Sequence, residues 1–173
     1  MRRSGLPVWS SSNKARLRGL TLIELLVTLA ILSILAAAAL PYAELTVRRD
    51  REIELRQSLR EVRTAIDRFH DDWVAGRVTH ADDTASADGY PRTLQVLVEG
   101  ADVGHAVAGK RRYLRRIPRD PFAADPTAPQ AQQWVMRGYQ DEPDAVAWDG
   151  KDVYDIHSAS TGTAIDGTRY KDW

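Results

Sequence analysis

The chain has 173 residues, with 24 Lys/Arg against 24 Asp/Glu, four histidines and no cysteine, which excludes a disulfide framework. The charge balance hides an asymmetry: the first nineteen residues hold Arg2, Arg3, Lys14, Arg16 and Arg18 and no acid. Without them the chain carries a net charge near −5, which argues against a surface built to neutralise nucleic-acid phosphates.

The first predicted element follows this basic stretch. From Leu20 to Leu40 run twenty-one residues whose single charge is Glu24, ending at Pro41. As a helix, that length spans a bilayer core. An acid inside such a segment costs roughly 2.5–3.5 kcal/mol on insertion scales if it reaches the membrane centre, so Glu24 needs a function. A cleaved secretory signal with its cut after Ala36–Ala39 fits poorly, because the apolar run exceeds the usual 7–15-residue core. A retained single-span anchor is the other general reading. Charge bias does little to orient the span, since Arg48, Arg49, Arg51 and Arg56 follow it within about 15 residues.

Past Pro41, which removes a backbone donor and is expected to kink the helix, the periodicity changes. Leu55, Leu59, Val62, Ile66, Phe69 and Trp73 recur at spacings of 4, 3, 4, 3 and 4, one apolar stripe on a helix buried against the chain's own small sheet. Glu52–Arg56, Arg63–Asp67 and Arg68–Asp72 stand four apart, the spacing of pairs along a helix surface. Gly76 to Gly89 reads as a polar loop without period. Leu94, Leu97 and Val98 suggest a short helix or turn, and Pro118 and Pro121 fix an extended path. Ala123 to Gln132 is a second loop. Gln133–Tyr139 and Asp152–Ser158 read as strands, with Asp149-Gly150 as a turn between them. The fold class expected is α+β: a long N-terminal helix, membrane-spanning then amphipathic, packed on a small antiparallel sheet with long loops.

The start, Gly19-Leu20-Thr21-Leu22-Ile23-Glu24, resembles the processing site of type IV pilins and type II secretion pseudopilins. Counted from Leu20, Glu24 is fifth and Pro41 twenty-second, as in that family; Leu20 departs from the usual first phenylalanine. The resemblance implies that a prepilin peptidase cuts after Gly19 and that the new amine at Leu20 is methylated. It divides the chain into a cytoplasmic leader (1–19), a transmembrane and assembly helix (20–41), an amphipathic continuation (42–74) and a small periplasmic domain (75–173). In an assembled filament the Leu20 amine of one subunit meets Glu24 of its neighbour, so that the acid acts as a registry device.

Three later motifs narrow the likeness. Tyr90-Pro91-Arg92-Thr93-Leu94, the run Tyr113 to Phe122, and Tyr154-Asp155-Ile156-His157-Ser158 are similar to the G-type, or major, pseudopilin. That resemblance implies a structural, non-enzymatic subunit in the bacterial inner membrane. Its partners are then membrane lipid, further copies of itself, minor pseudopilins, the prepilin peptidase, an inner-membrane platform protein and a secretion ATPase, with no nucleic acid. A type IV pilus subunit and a single-span membrane-anchored periplasmic protein are the alternative readings. The family's calcium loop, matched to Ser158–Gly167, lacks its first aspartate here and leaves only Asp166 and Asp172 as weak calcium candidates, so no cofactor is assigned. His70, His80, His105 and His157 have no ligand spacing, and Ser158 beside His157 makes no triad because strand neighbours point to opposite faces. Trp134, Trp148 and Trp173 are expected to pack the small domain.

Overall fold

The computed structural model describes residues 20–173 except 80, 82, 104–108, 143, 144 and 146, and except the side chains at 38, 40 and 41. The chain divides into two compact units, Met1–Ala43 and Glu44–Trp173. In the first, the described element is the opening of helix α1 (Leu22–Val74), which continues through position 41. Its side chains find no cover: Leu22 to Leu35 include ten large apolar residues, each at least half exposed. Fully burying one such side chain is worth roughly 1.5–3 kcal/mol, so this segment needs lipid or other protein around it.

In the second unit the same helix becomes one wall of a core. Leu55, Leu59, Val62, Ile66 and Phe69 are all buried, and Trp73 packs partly buried at the end of the row. The predicted stripe is thus the buried face, and it packs within the chain itself. Opposite it lie α2 (Leu94–Glu99), which contributes Leu94 and Leu97, and two antiparallel ladders. The first joins β1 (Ala101–Asp102) to β2 (Lys110–Arg111). The second joins β3 (Trp134–Arg137) to β4 (Asp155–Ser158), in the register Trp134↔Ser158 through Arg137↔Asp155. The two predicted strands therefore exist and pair, although each is shorter than its apolar pattern. Gln133 ends a 3-10 turn, and Asp152 and Val153 lie outside the ladder. Among the described residues the sheet is two two-stranded pieces, and the β1–β2 pair had no alternating pattern to announce it.

The loop before α2 is irregular but anchored. Val78 bridges to Val103, Ala85 bridges to Pro91, and both Val78 and Ala85 are buried. Gly89 has φ of +83°, and a Cβ there would lie 2.4 Å from Trp73 Cε3. Only glycine lets this turn close on the indole.

The pairs expected along α1 (Glu52–Arg56, Arg63–Asp67 and Arg68–Asp72) are not the ones that form; the pair four apart that does form is Arg48–Glu52, at 3.6 Å. Arg56 reaches Asp166 at 2.9 Å, Arg63 reaches Asp155 at 2.7 Å, and Asp72 takes Arg77 and Arg111, each at 2.6 Å. Nearby loops offer these groups better-placed partners than the helix does. A polar clasp results between α1 and residues 163–173. Arg48 donates to the Thr163 carbonyl and, at 3.3 Å, to the Tyr170 hydroxyl. Glu52, buried, accepts from Ile165 N and Tyr170 Oη, both at 2.9 Å. Arg63 donates to the Trp173 carbonyl oxygen at 2.7 Å, and the Arg56 guanidinium lies 4.0 Å over the Trp173 ring.

Candidate functional site

Gly19 and the basic leader lie outside the described residues; Leu20 is the first of them, and it is 73% exposed. Thr21 and Glu24 then form a reciprocal pair at the start of α1. Glu24 N donates to Thr21 Oγ1 at 3.2 Å, and Thr21 N donates to Glu24 Oε2 at 3.5 Å. This is the capping-box arrangement, which satisfies two of the amides a helix start leaves orphaned. Glu24 therefore has a local partner within the chain, and its carboxylate sits where the helix dipole favours a negative charge. Threonine three residues before glutamate was the sequence signal for this role, and counting charges missed it.

The rest of the apolar segment is chemically quiet. Thr28 Oγ1 donates back to the Leu25 carbonyl at 2.9 Å, and Ser33 Oγ to the Leu29 carbonyl at 2.7 Å. With those hydroxyls satisfied inside the helix, Glu24 is the one group from Leu22 to Leu40 with strong capacity to bind a partner. Among the described residues, α1 is the one helix long and apolar enough to cross a membrane, and none of its most apolar window is buried. At Pro41 the helix continues although proline offers no amide donor to the Ala37 carbonyl four residues earlier.

In the second unit the late sequence motifs meet through buried polar atoms. Ser158 Oγ, fully buried, donates to Asp120 Oδ2 at 2.6 Å, while Asp120 Oδ1 accepts from Phe122 N at 2.8 Å. The Gln133 side chain accepts from Asp120 N at 3.2 Å and donates to the Ala128 carbonyl at 2.9 Å. Asp120 of the proline-rich motif thus locks Ser158 of the last strand, and Ser158 is occupied structurally. His157 turns its Nδ1 to the Ser158 carbonyl at 3.2 Å, and His70 stacks on Tyr90; His80 and His105 lie outside the described residues. Trp134 is buried with its Nε1 donating to the Pro118 carbonyl at 3.0 Å, while Trp148 and Trp173 pack partly buried against the core.

The two weak calcium candidates are engaged elsewhere. Asp166 accepts from the Thr168 hydroxyl at 2.6 Å and amide at 2.9 Å and pairs with Arg56; these donors, the hydroxyl foremost, hold its carboxyl below the usual carboxylate range. Asp172 pairs with Arg169 at 2.9 Å. Such donor-rich surroundings suit an anion's hydrogen bonds better than the all-oxygen shell of calcium. The acids that do converge lie before β4. A Cβ on Gly138 would meet Asp149 Oδ1 at 2.9 Å, Asp141 Oδ2 at 3.2 Å and Asp152 Oδ1 at 3.3 Å. Backbone amides of Gly138 and Tyr139 donate to Asp141 and Asp152, and Lys151 pairs with Asp149 at 2.9 Å. Among the described residues no three His, Asp or Glu side chains are arranged to hold a metal ion.

Residues 14–40 match the family model described as the Prokaryotic N-terminal methylation motif. No curated protein and no solved structure matches the chain. The match covers Lys14, Arg16 and Arg18, the Gly19–Leu20 junction, Glu24 and the apolar run to Leu40. The chain carries a type IV pilin-like prepilin signal on an α+β fold with a long N-terminal helix.

Proposed function

We propose that the chain is a structural subunit of a type II secretion pseudopilus. Prepilin peptidase removes residues 1–19 at the cytoplasmic face, Leu20 is methylated, and α1 holds the subunit in the inner membrane with the Glu44–Trp173 unit in the periplasm. Subunits then leave the bilayer through the platform protein, driven by the secretion ATPase, and stack into a short filament with minor pseudopilins. The filament drives protein export through the outer membrane; this subunit transmits force, breaks no covalent bond and needs no cofactor. The observation that carries the reading is the match over residues 14–40, with Glu24 and Pro41 fifth and twenty-second after Gly19. It is supported by an apolar half-helix that finds no burial within its own subunit. In the filament, Glu24 exchanges part of its local capping role for the Leu20 amine of a neighbour, and small residues at 36–39 permit close helix approach.

The same signal serves type IV pili, and the absence of cysteine together with the Tyr154-Asp155-Ile156 ending favours secretion. Mass spectrometry of the purified protein is expected to find a methylated Leu20 at the N-terminus. An intact Met1 would overturn the proposal in favour of a membrane anchor. Deleting the gene is expected to abolish exoprotein release and spare twitching motility; the opposite pattern would assign the chain to a pilus.

A further inference from the structure

Four aromatic rings form a stack at the end of α1. Trp73 and His70 lie 6.3 Å apart at 13°, His70 and Tyr90 4.4 Å apart at 6°, and Tyr90 and Tyr139 5.1 Å apart at 25°. His70 is fixed by Nδ1 to the Gly89 carbonyl at 3.3 Å. The stack ends in the open: Tyr90 is 9% exposed but Tyr139 is 49% exposed. Tyr154, 40% exposed, stands edge-on to both tyrosines, at 5.1 and 5.5 Å. Two half-exposed tyrosines are therefore packed on the buried Tyr90 ring and on each other, so a ligand need not order them.

The rim of this platform is acidic. Tyr139 N donates to Asp152, Gly138 N donates to Asp141, and the neighbouring Gln140 amide holds Asp88 at 3.3 Å. Residues 139–152 contain five acids and one base. An open aromatic face within an acidic rim attracts a cation and repels a phosphate. The chain makes such contacts internally, with Arg56 over Trp173 and Arg137 5.7 Å from the Tyr154 ring centre.

The complementary chemistry occurs elsewhere on the same chain. Residues 110–119 carry six basic side chains and no acid. Arg111 is held by Asp72, while Arg112, Arg115, Arg116 and Arg119 are exposed and make no ion pair among the described residues. Arg116 and Arg119 line one side of an open groove of about 620 Å³ against α1.

We propose that the exposed arginines of Arg112–Arg119 in one copy dock on the Tyr139/Tyr154 platform of another copy, with a guanidinium stacked on the open face of Tyr139. The proposal rests on the reading of the chain as a polymerising subunit and names the surfaces its globular units use. The two patches share no residue, and in the proposed filament the contact is heterologous: each copy offers one patch forward and one backward, so that the series propagates, whereas a reciprocal two-fold pairing would stop at a dimer. Arginine and tyrosine are the residue types that dominate interface energetics.

The cysteine-free chain provides a direct test. Full-length protein carrying both Arg116→Cys and Gln140→Cys is expected to give a ladder of cross-linked multimers under oxidation, and neither single variant is. Tyr139→Ala and Arg115→Glu are expected to lower filament yield about tenfold or more with unchanged melting temperature, while Tyr139→Phe retains assembly. A preparation with methylated Leu20 and visible filaments, yet no ladder and full assembly by Tyr139→Ala, would overturn this contact and leave the filament reading standing. Loss of methylation and filaments in the unmodified protein would overturn the reading beneath it. If Tyr139→Ala assembles normally but no longer binds a neutral polysaccharide or single-stranded DNA retained by the unmodified protein, the platform serves that ligand and the proposal falls.

Discussion

The two halves of α1 are both rich in apolar residues, and they meet opposite conditions. From Leu22 to Leu35 the large side chains are at least half exposed; from Leu55 to Phe69 the apolar row is fully buried. The difference is periodicity. A stripe repeating every three or four residues can be covered by one small domain, whereas a segment apolar all round needs neighbours on every side. The first half is thus built for an environment that a single copy cannot supply, and the second for one that it can.

That contrast breaks most sharply at Glu24. Replacing it by leucine is expected to cut filament yield about a hundredfold or more, by stranding the partner amine in an apolar setting, while membrane insertion and the melting of the Glu44–Trp173 unit stay unchanged. Counting assembled against membrane-held subunits measures it. Truncating the buried half comes next. Phe69→Ala is expected to cost about 3–5 kcal/mol of stability, whereas Leu32→Ala stays within about 0.5 kcal/mol, both by denaturant titration of full-length protein in detergent. Equal losses would show that the two halves are not different in kind.

A third substitution sharpens the buried side. Gly89→Ala puts a methyl group into the Trp73 ring at a backbone angle only glycine adopts freely, and a loss of about 1–3 kcal/mol is expected. Change in Trp73 fluorescence reports it. The smallest effect expected is a pH dependence. Burial, then the hydrogen bond to Asp72 at 2.9 Å, raises the Tyr113 hydroxyl pKa far above normal. The unfolded chain releases that proton first, so stability is retained below about pH 10 and lost as pH rises beyond it. Tyr113→Phe is expected to flatten this alkaline limb of the melting curve.

Much of this architecture was legible in the residues. The stripe from Leu55 to Trp73 gave the buried face because helical spacing depends only on local geometry. Glu24 and Pro41 marked the apolar segment because charge and imino acid stand out against it. The ion pairs were misread for a physical reason: spacing of four identifies possible neighbours, but Arg56, Arg63 and Asp72 found partners on loops whose paths no local rule fixes. The β1–β2 pair was invisible because two residues per strand carry no alternation. The platform was hidden as well, since His70, Tyr90 and Tyr139 come from three separate segments.

The clasp between α1 and residues 163–173 has a consequence for how the molecule is made. Its hydrogen bonds join positions 110 to 122 apart in sequence, among the longest separations in the fold. Contacts so distant carry a high cost in loop closure and slow the conformational search. In a nascent chain Arg48 and Glu52 have only each other, and Arg56 lacks its partner, until more than a hundred further residues have followed; Arg63 waits 92 residues for Asp155. The seam that fastens the helix is sewn last, and a partly made chain is left unfastened there.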